Sequence, residues 1–193
     1  EHNRDEYGSD EVQLTVYKFP GSLLALIDQT RAQVPCKLQG PPGRNITIVC
    51  CLSYGIGVLA SHPDVRTLFK LRHKLDIISA SNGETDRDAA LVQAIWNVFE
   101  QFNITAKDSL MSEPRRQGLY VHKRLKQALF AVKSDLGINF DSLAVLCCQI
   151  ALYEQSWIVE ERREEMEDNV KQFFRAARIR RRIFEALLAE LER

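Results

Sequence analysis

The chain has no excess of charge of either sign: its 193 residues carry 26 lysines and arginines against 26 aspartates and glutamates. No global field steers it toward phosphate or an anionic surface, so any nucleic-acid contact must come from a local basic patch. It also lacks a long unbroken apolar run. The longest, Ile46 to Ala60, is interrupted by Thr47, Ser53, Gly55 and Gly57 and falls short of the ~20 residues a bilayer-crossing helix needs, so no membrane association is expected. Cysteine is sparse and odd in number: Cys36 and the neighbouring pairs Cys50-Cys51 and Cys147-Cys148 have no disulfide-framework spacing, which suits a reducing compartment. Residues 1–10 are polar and acidic, without the apolar core of a signal peptide; a disordered arm and a cytoplasmic location are expected. What is present, 45% hydrophobic and 27% charged residues, is the composition of a globular domain or two small ones.

Signatures of chemistry are missing as well. His62, His73 and His122 are scattered, with no second histidine at helical ligand spacing, and the cysteine pairs lie within apolar helical stretches, where core packing is the expected role. Gly40-Pro41-Pro42-Gly43 lacks the Lys-Ser/Thr that completes a phosphate loop. No Ser, His and acid constellation emerges from spacing. The expectation is a non-enzyme without metal or cofactor.

Local patterns organise the chain. Glu11 to Tyr17 alternates apolar and polar with β-favouring types, as a half-buried strand does. Pro20-Gly21 stops it, and Ser22 is placed to cap a short helix through Leu23, Leu24, Leu26 and Ile27 that ends at Val34-Pro35. A Pro- and Gly-rich loop to Gly43 precedes a second, apolar helix opened by Gly43-Arg44-Asn45. Amphipathic helices are predicted from His62-Pro63-Asp64 to Ser81 and over 86–102, followed by a polar loop over 103–118. A second short strand at Leu119-Tyr120-Val121 runs into a helix closed by Gly137, and Asn139 to Ser142 starts another apolar helix.

Strand, helix, turn, helix thus occurs twice. Ile48-Val49-Cys50-Cys51 falls over Val145-Leu146-Cys147-Cys148 at an offset of 97, and Tyr17 over Tyr120 at 103, the difference of six being a shortened inter-helix loop. One such unit is too small to bury its own faces, so two would complete each other. Leu14-Thr15-Val16-Tyr17-Lys18-Phe19-Pro20 followed by Leu23-Leu24-Ala25-Leu26-Ile27-Asp28 resembles the ribbon-helix-helix family, and Gly43-Arg44-Asn45-Ile46-Thr47 resembles its second-helix start. The second copy, Lys123 to Tyr153, is similar at the turn and both helices but lacks the proline. The resemblance implies a mainly α fold with a short two-stranded antiparallel ribbon: a disordered arm at 1–10, a first unit at 11–60, a helical insert and linker at 61–114, a second unit at 115–154 and a C-terminal helix at 155–193.

It further implies double-stranded DNA as partner, the ribbon lying in the major groove with outward side chains on base edges. If Val12, Leu14 and Val16 face the core, the base readers are Gln13, Thr15 and Tyr17, with Arg116, Tyr120 and His122 on the second strand; Gly118 between them can read nothing. Counting inward from Pro20 instead puts Phe19 and Tyr17 in the core and, if a bulge intervenes, Lys18 outward. The first register buries fewer polar groups and is the one expected, though a slip of one residue inverts it. Phosphates would be held at the second-helix starts by Arg44, Asn45 and Thr47 and by Asn139 and Ser142, although Asp141 beside the latter repels them. Lys18 completes the set together with Arg115, Lys123 and Arg124, the last three lying in a stretch from Pro114 to Lys133 that has six basic residues and no acid. The family's roles include transcriptional repression and accessory work in plasmid partition or conjugation. The rival expectation is a helical protein-interaction scaffold using the charge-segregated C-terminal helix, which could also join copies of the chain into a homo-oligomer. Arg175, Arg178, Arg180, Arg181 and Arg182 on that helix could touch a DNA backbone.

Overall fold

The computed structural model describes residues 11–34, 39–81, 85–110, 113–155 and 160–193, so the expected arm at 1–10 and Cys36 lie outside the described residues. Strand β1 (Val12–Pro20) leads without a loop into helix α1 (Gly21–Thr30) and a 3-10 turn, Arg31–Gln33, after which α2 (Arg44–Ser61), α3 (Pro63–Ser81) and α4 (Asp86–Leu110) follow. Strand β2 (Pro114–His122) leads in the same way into α5 (Lys123–Leu136), followed by α6 (Phe140–Glu154) and the long α7 (Glu160–Leu191). The described residues are therefore mainly helical with one two-stranded antiparallel sheet.

The local chemistry explains the junctions. Pro20 caps α1 through its fixed φ of −56°, with no side-chain cap, so Ser22 does not play the part expected of it. At the matching junction the His122 side chain caps α5 by accepting from the Arg124 N–H at 3.1 Å. Gly137 ends α5 at φ 66°, a left-handed position that glycine takes without steric cost, and Asn139 caps α6 by accepting from the Ser142 N–H at 2.7 Å. The polar stretch expected as a loop over 103–118 is shorter: α4 continues to Leu110 and β2 begins at Pro114.

The two strands pair throughout, from Val12 opposite His122 to Pro20 opposite Pro114. Tyr17, Phe19, Leu119 and Val121 face the helices and are buried, while Leu14, Val16, Lys18, Arg116 and Tyr120 face solvent. The expected register of β1 is thereby inverted, without a bulge. Its attraction was that it buried fewer polar groups, and the observed register does bury the Thr15 and Tyr17 hydroxyl oxygens without a hydrogen-bond partner among the described residues. Each costs about 1–3 kcal/mol. Against that stand the rings of Tyr17 and Phe19, at about 150–250 Å² apiece and about 25 cal/mol per Å², worth roughly 4–6 kcal/mol each. The aromatics win. The offsets shift by one accordingly: Pro20 and His122 hold equivalent cap positions 102 apart, and Gly43 and Asn139 hold equivalent caps 96 apart. The six-residue difference stands, but Tyr17 and Tyr120 lie on opposite faces of the ribbon.

Under the ribbon, α2 crosses α6, the two helices meeting where Gly55 lies against Cys147. By length and composition α2 would also pass as a membrane-crossing helix; here Ile48, Cys51, Leu52, Ile56 and Leu59 are packed into the core. Helix α7 packs along α3, with further contacts to α6 and α4. It is pinned by the buried Asp64 carboxylate, which accepts from Arg181 Nη1 at 2.6 Å and Arg178 Nε at 3.3 Å.

Candidate nucleic-acid interface

The outer face of the ribbon is built from opposed pairs: Val12 with His122, Leu14 with Tyr120, Val16 with Gly118, and Lys18 with Arg116. Leu14, Val16 and Tyr120 are 59%, 57% and 62% exposed, so three large hydrophobic side chains stand open on this face. Of the expected base readers, Arg116, Tyr120 and His122 lie on this face. His122 is half-buried, with Nδ1 engaged in capping α5 and Nε2 3.4 Å from Glu11 Oε2. Gln13, Thr15 and Tyr17 do not lie there. Tyr17 is in the core, where burial pushes its phenol above the usual range, Thr15 is half-buried beneath the ribbon, and Gln13 accepts from Lys126 Nζ at 2.9 Å.

Their places are taken by Leu14, Val16 and Lys18. The apolar type of Leu14 and Val16 favours an inward position, which neither takes. Parity counted back from each strand-helix junction finds them, because Phe19 and Val121, the last inward-facing strand residues, must start the core that α1 and α5 continue.

Basic side chains gather around the ribbon. Lys18, Arg115, Arg116, Lys123 and Arg124 are all exposed, with the Arg115 guanidinium lying over Gly21 at the start of α1. The second-helix starts flank it on opposite edges. At α2, Asn45 accepts from Gln117 Nε2 of β2 at 2.7 Å, and Arg44 is ion-paired with Asp28 of α1, Nε donating to Oδ1 at 2.9 Å. That pairing holds the Asp28 carboxyl below its ordinary range. Thr47 is buried and donates back to the Gly43 carbonyl at 3.1 Å, so its hydroxyl cannot hold a phosphate. At α6, Asn139 is occupied as the cap and Ser142 is buried, which removes both as phosphate ligands through their side chains. Asp141 instead accepts from the Lys18 backbone N–H of β1 at 2.9 Å. A carboxylate thus fills the position where a phosphate would meet this helix end.

The C-terminal arginines divide. Arg178 and Arg181 serve Asp64, Arg180 is buried and pushed down to about 9 by desolvation, and Arg175 and Arg182 remain exposed. The cysteines Cys51, Cys147 and Cys148 are buried between α2 and α6; burial raises the Cys147 thiol, and a hydrogen bond with Cys51 followed by burial raises the Cys148 thiol, which makes both inert as nucleophiles. Comparison with protein-family models, curated proteins and solved structures finds no match to this chain.

Proposed function

We propose that the chain is a non-enzymatic, sequence-specific double-stranded DNA-binding protein in which two ribbon-helix-helix units, 11–60 and 115–154, form a pseudo-dimer within one polypeptide. Its expected setting is the cytoplasm, as a transcriptional repressor or an accessory factor in plasmid partition or conjugation. The observation carrying this reading is the antiparallel β1–β2 ribbon: it joins two strand-helix-helix segments of one chain and presents a solvent-facing side with basic residues at its edge. A two-stranded ribbon has the width that the DNA major groove admits, and its outward side chains would meet base edges. Lys18, Arg115, Arg116, Lys123 and Arg124 supply the local positive charge that a neutral protein needs for phosphate.

The interaction-scaffold reading has less to stand on. Met166, Val170, Phe173, Ala177, Phe184 and Leu188 of α7 are buried against the rest of the chain, leaving Ile179 and Ile183 as its exposed large apolar residues among those described. Fluorescence anisotropy against random duplex DNA at two salt concentrations tests the choice. Affinity should fall steeply with salt, and replacing Arg115, Arg116, Lys123 and Arg124 by alanine should weaken it and flatten the salt dependence. A folded protein that binds no duplex at low salt would overturn the proposal in favour of the scaffold.

A further inference from the structure

The ribbon's outer face is not two-fold symmetric although its backbone is. At the strand offset of 102, Lys18 is equivalent to Tyr120 and Leu14 to Arg116, and the pair Val16–Gly118 lies at the centre. The cross-strand pair Lys18–Arg116 on one side of that centre therefore occupies the place of the pair Leu14–Tyr120 on the other. One half of the face is doubly cationic and the other is doubly apolar. Neither half is explained by folding. Two like charges directly opposite each other destabilise a strand pair, and among the described residues no ion pair neutralises the Lys18 ammonium or the Arg116 guanidinium, Asp141 accepting from the Lys18 backbone N–H and not from its side chain. Leu14 and Tyr120 project into solvent where burial would have favoured them.

We infer that the ribbon recognises a non-palindromic duplex site, with guanine under the Lys18–Arg116 half and thymine under the Leu14–Tyr120 half, so that the protein sits on DNA in one orientation only. This rests on the DNA reading above. Guanine shows two acceptors, O6 and N7, in the major groove, which a guanidinium or ammonium meets as a donor. Thymine shows a C5 methyl, the one apolar group in that groove, which Leu14 and the Tyr120 ring can cover. Four residues along a strand separate the two pairs by about 13 Å, which puts them over different base pairs. The flanks carry the same asymmetry: at the helix offset of 96, Asp141, bonded to the Lys18 N–H at the β1 edge, corresponds to Asn45 at the β2 edge.

Selection of bound duplexes from a random library with the full chain, followed by affinity measurements on the recovered site, tests this. The expected site has a guanine-bearing half and a thymine-bearing half that are not related by two-fold symmetry. Replacing guanine by 7-deazaguanine should cost roughly tenfold in the first half, and replacing thymine by deoxyuridine should cost roughly two- to fourfold in the second. Lys18→Ala with Arg116→Ala should erase the guanine preference alone, and Leu14→Ala with Tyr120→Ala the thymine preference alone, circular dichroism confirming that these surface variants fold. Leu14→Arg with Tyr120→Lys makes the two halves alike, and its selected site should become palindromic. A palindromic site for the unaltered chain, or salt-dependent binding with no recoverable site, would overturn the inference while leaving DNA binding in place. No binding to any duplex at low salt would overturn both.

Discussion

Gly55 of α2 lies so close to Cys147 of α6 that a Cβ placed on it would come within 2.4 Å of the Cys147 Cα and 2.5 Å of its carbonyl oxygen. Both obstacles are backbone, so no rotamer change relieves them. Gly55→Ala must push α2 and α6 apart, at a cost at or above the upper end of the roughly 1–3 kcal/mol typical of overpacking. Gly57, two residues on, is exposed with nothing near its Cβ position, so Gly57→Ala should instead stabilise by about 0.5–1 kcal/mol through helix propensity. Urea midpoints of the two variants should move in opposite directions. A Gly55→Ala protein as stable as the parent would mean that α2 and α6 do not cross as described.

Asp64 is buried at the start of α3 and receives two arginines from α7, Arg178 and Arg181. Asp64→Ala leaves the half-buried Arg181 with only its longer ion pair to the exposed Glu185, 3.6 Å away, and removes a favourable charge from the first turn of α3. Loss of one partner of a buried pair costs about 3–5 kcal/mol, and the exposure of Arg178 places this case near the lower bound. Arg178→Ala should cost less, because Arg181 still satisfies Asp64. Equal losses in chemical denaturation would show that the carboxylate is not the anchor of α7.

Element types were largely legible in the sequence, and the facing of the first strand was not. Pro63 at the first turn of α3, Gly137 beyond α5 and Asn139 at the cap of α6 each force a boundary by local stereochemistry, and the boundaries fall there. Strand facing is a tertiary property. Val12, Leu14 and Val16 alternate as regularly as Thr15, Tyr17 and Phe19, and only the helices that Phe19 and Val121 must meet decide between the two sets. The same limit applied to the phosphate ligands. Thr47 and Ser142 have suitable hydroxyls at suitable helix ends, but both point into the core, which helix position alone does not reveal.

The His62 ring stacks on Phe174 with centroids 4.0 Å apart, and its Nδ1 is buried without a hydrogen-bond partner among the described residues. Burial lowers its pKa, outweighing the attraction of Asp64 and Glu154, while Arg178 adds to the depression. The unfolded chain therefore binds the proton more readily than the folded one. This contribution to stability is complete above about pH 6.5, the ordinary histidine value, and is lost as pH falls from there through the folded value. His62→Phe keeps the stacking and removes the titration. Its thermal midpoint should change less than the parent's between pH 7 and pH 5. Parallel pH profiles would assign the acid sensitivity to other groups.

Asp28 is bonded to Arg44 at the start of α2 and Asp141 to the Lys18 N–H at the start of α6, the two helix ends that flank the ribbon in the proposed DNA-binding role. If duplex DNA binds the ribbon, both carboxylates oppose it. Asp141→Asn retains an oxygen to accept from the Lys18 N–H but removes the charge, and Asp28→Asn releases Arg44 from its ion pair. The lost Asp28–Arg44 pair, being largely exposed, should cost at most about 1 kcal/mol of stability. Each variant should bind random duplex more tightly than the parent at low salt. Asp28→Asn should also steepen the dependence of log affinity on log salt by about 0.9, the increment for one additional phosphate neutralised. Asp141→Asn adds no cation, so its gain should come with a smaller change in slope. Unchanged affinity in both would mean that these two helix ends do not flank bound DNA, and the ribbon would then have to engage the duplex without them.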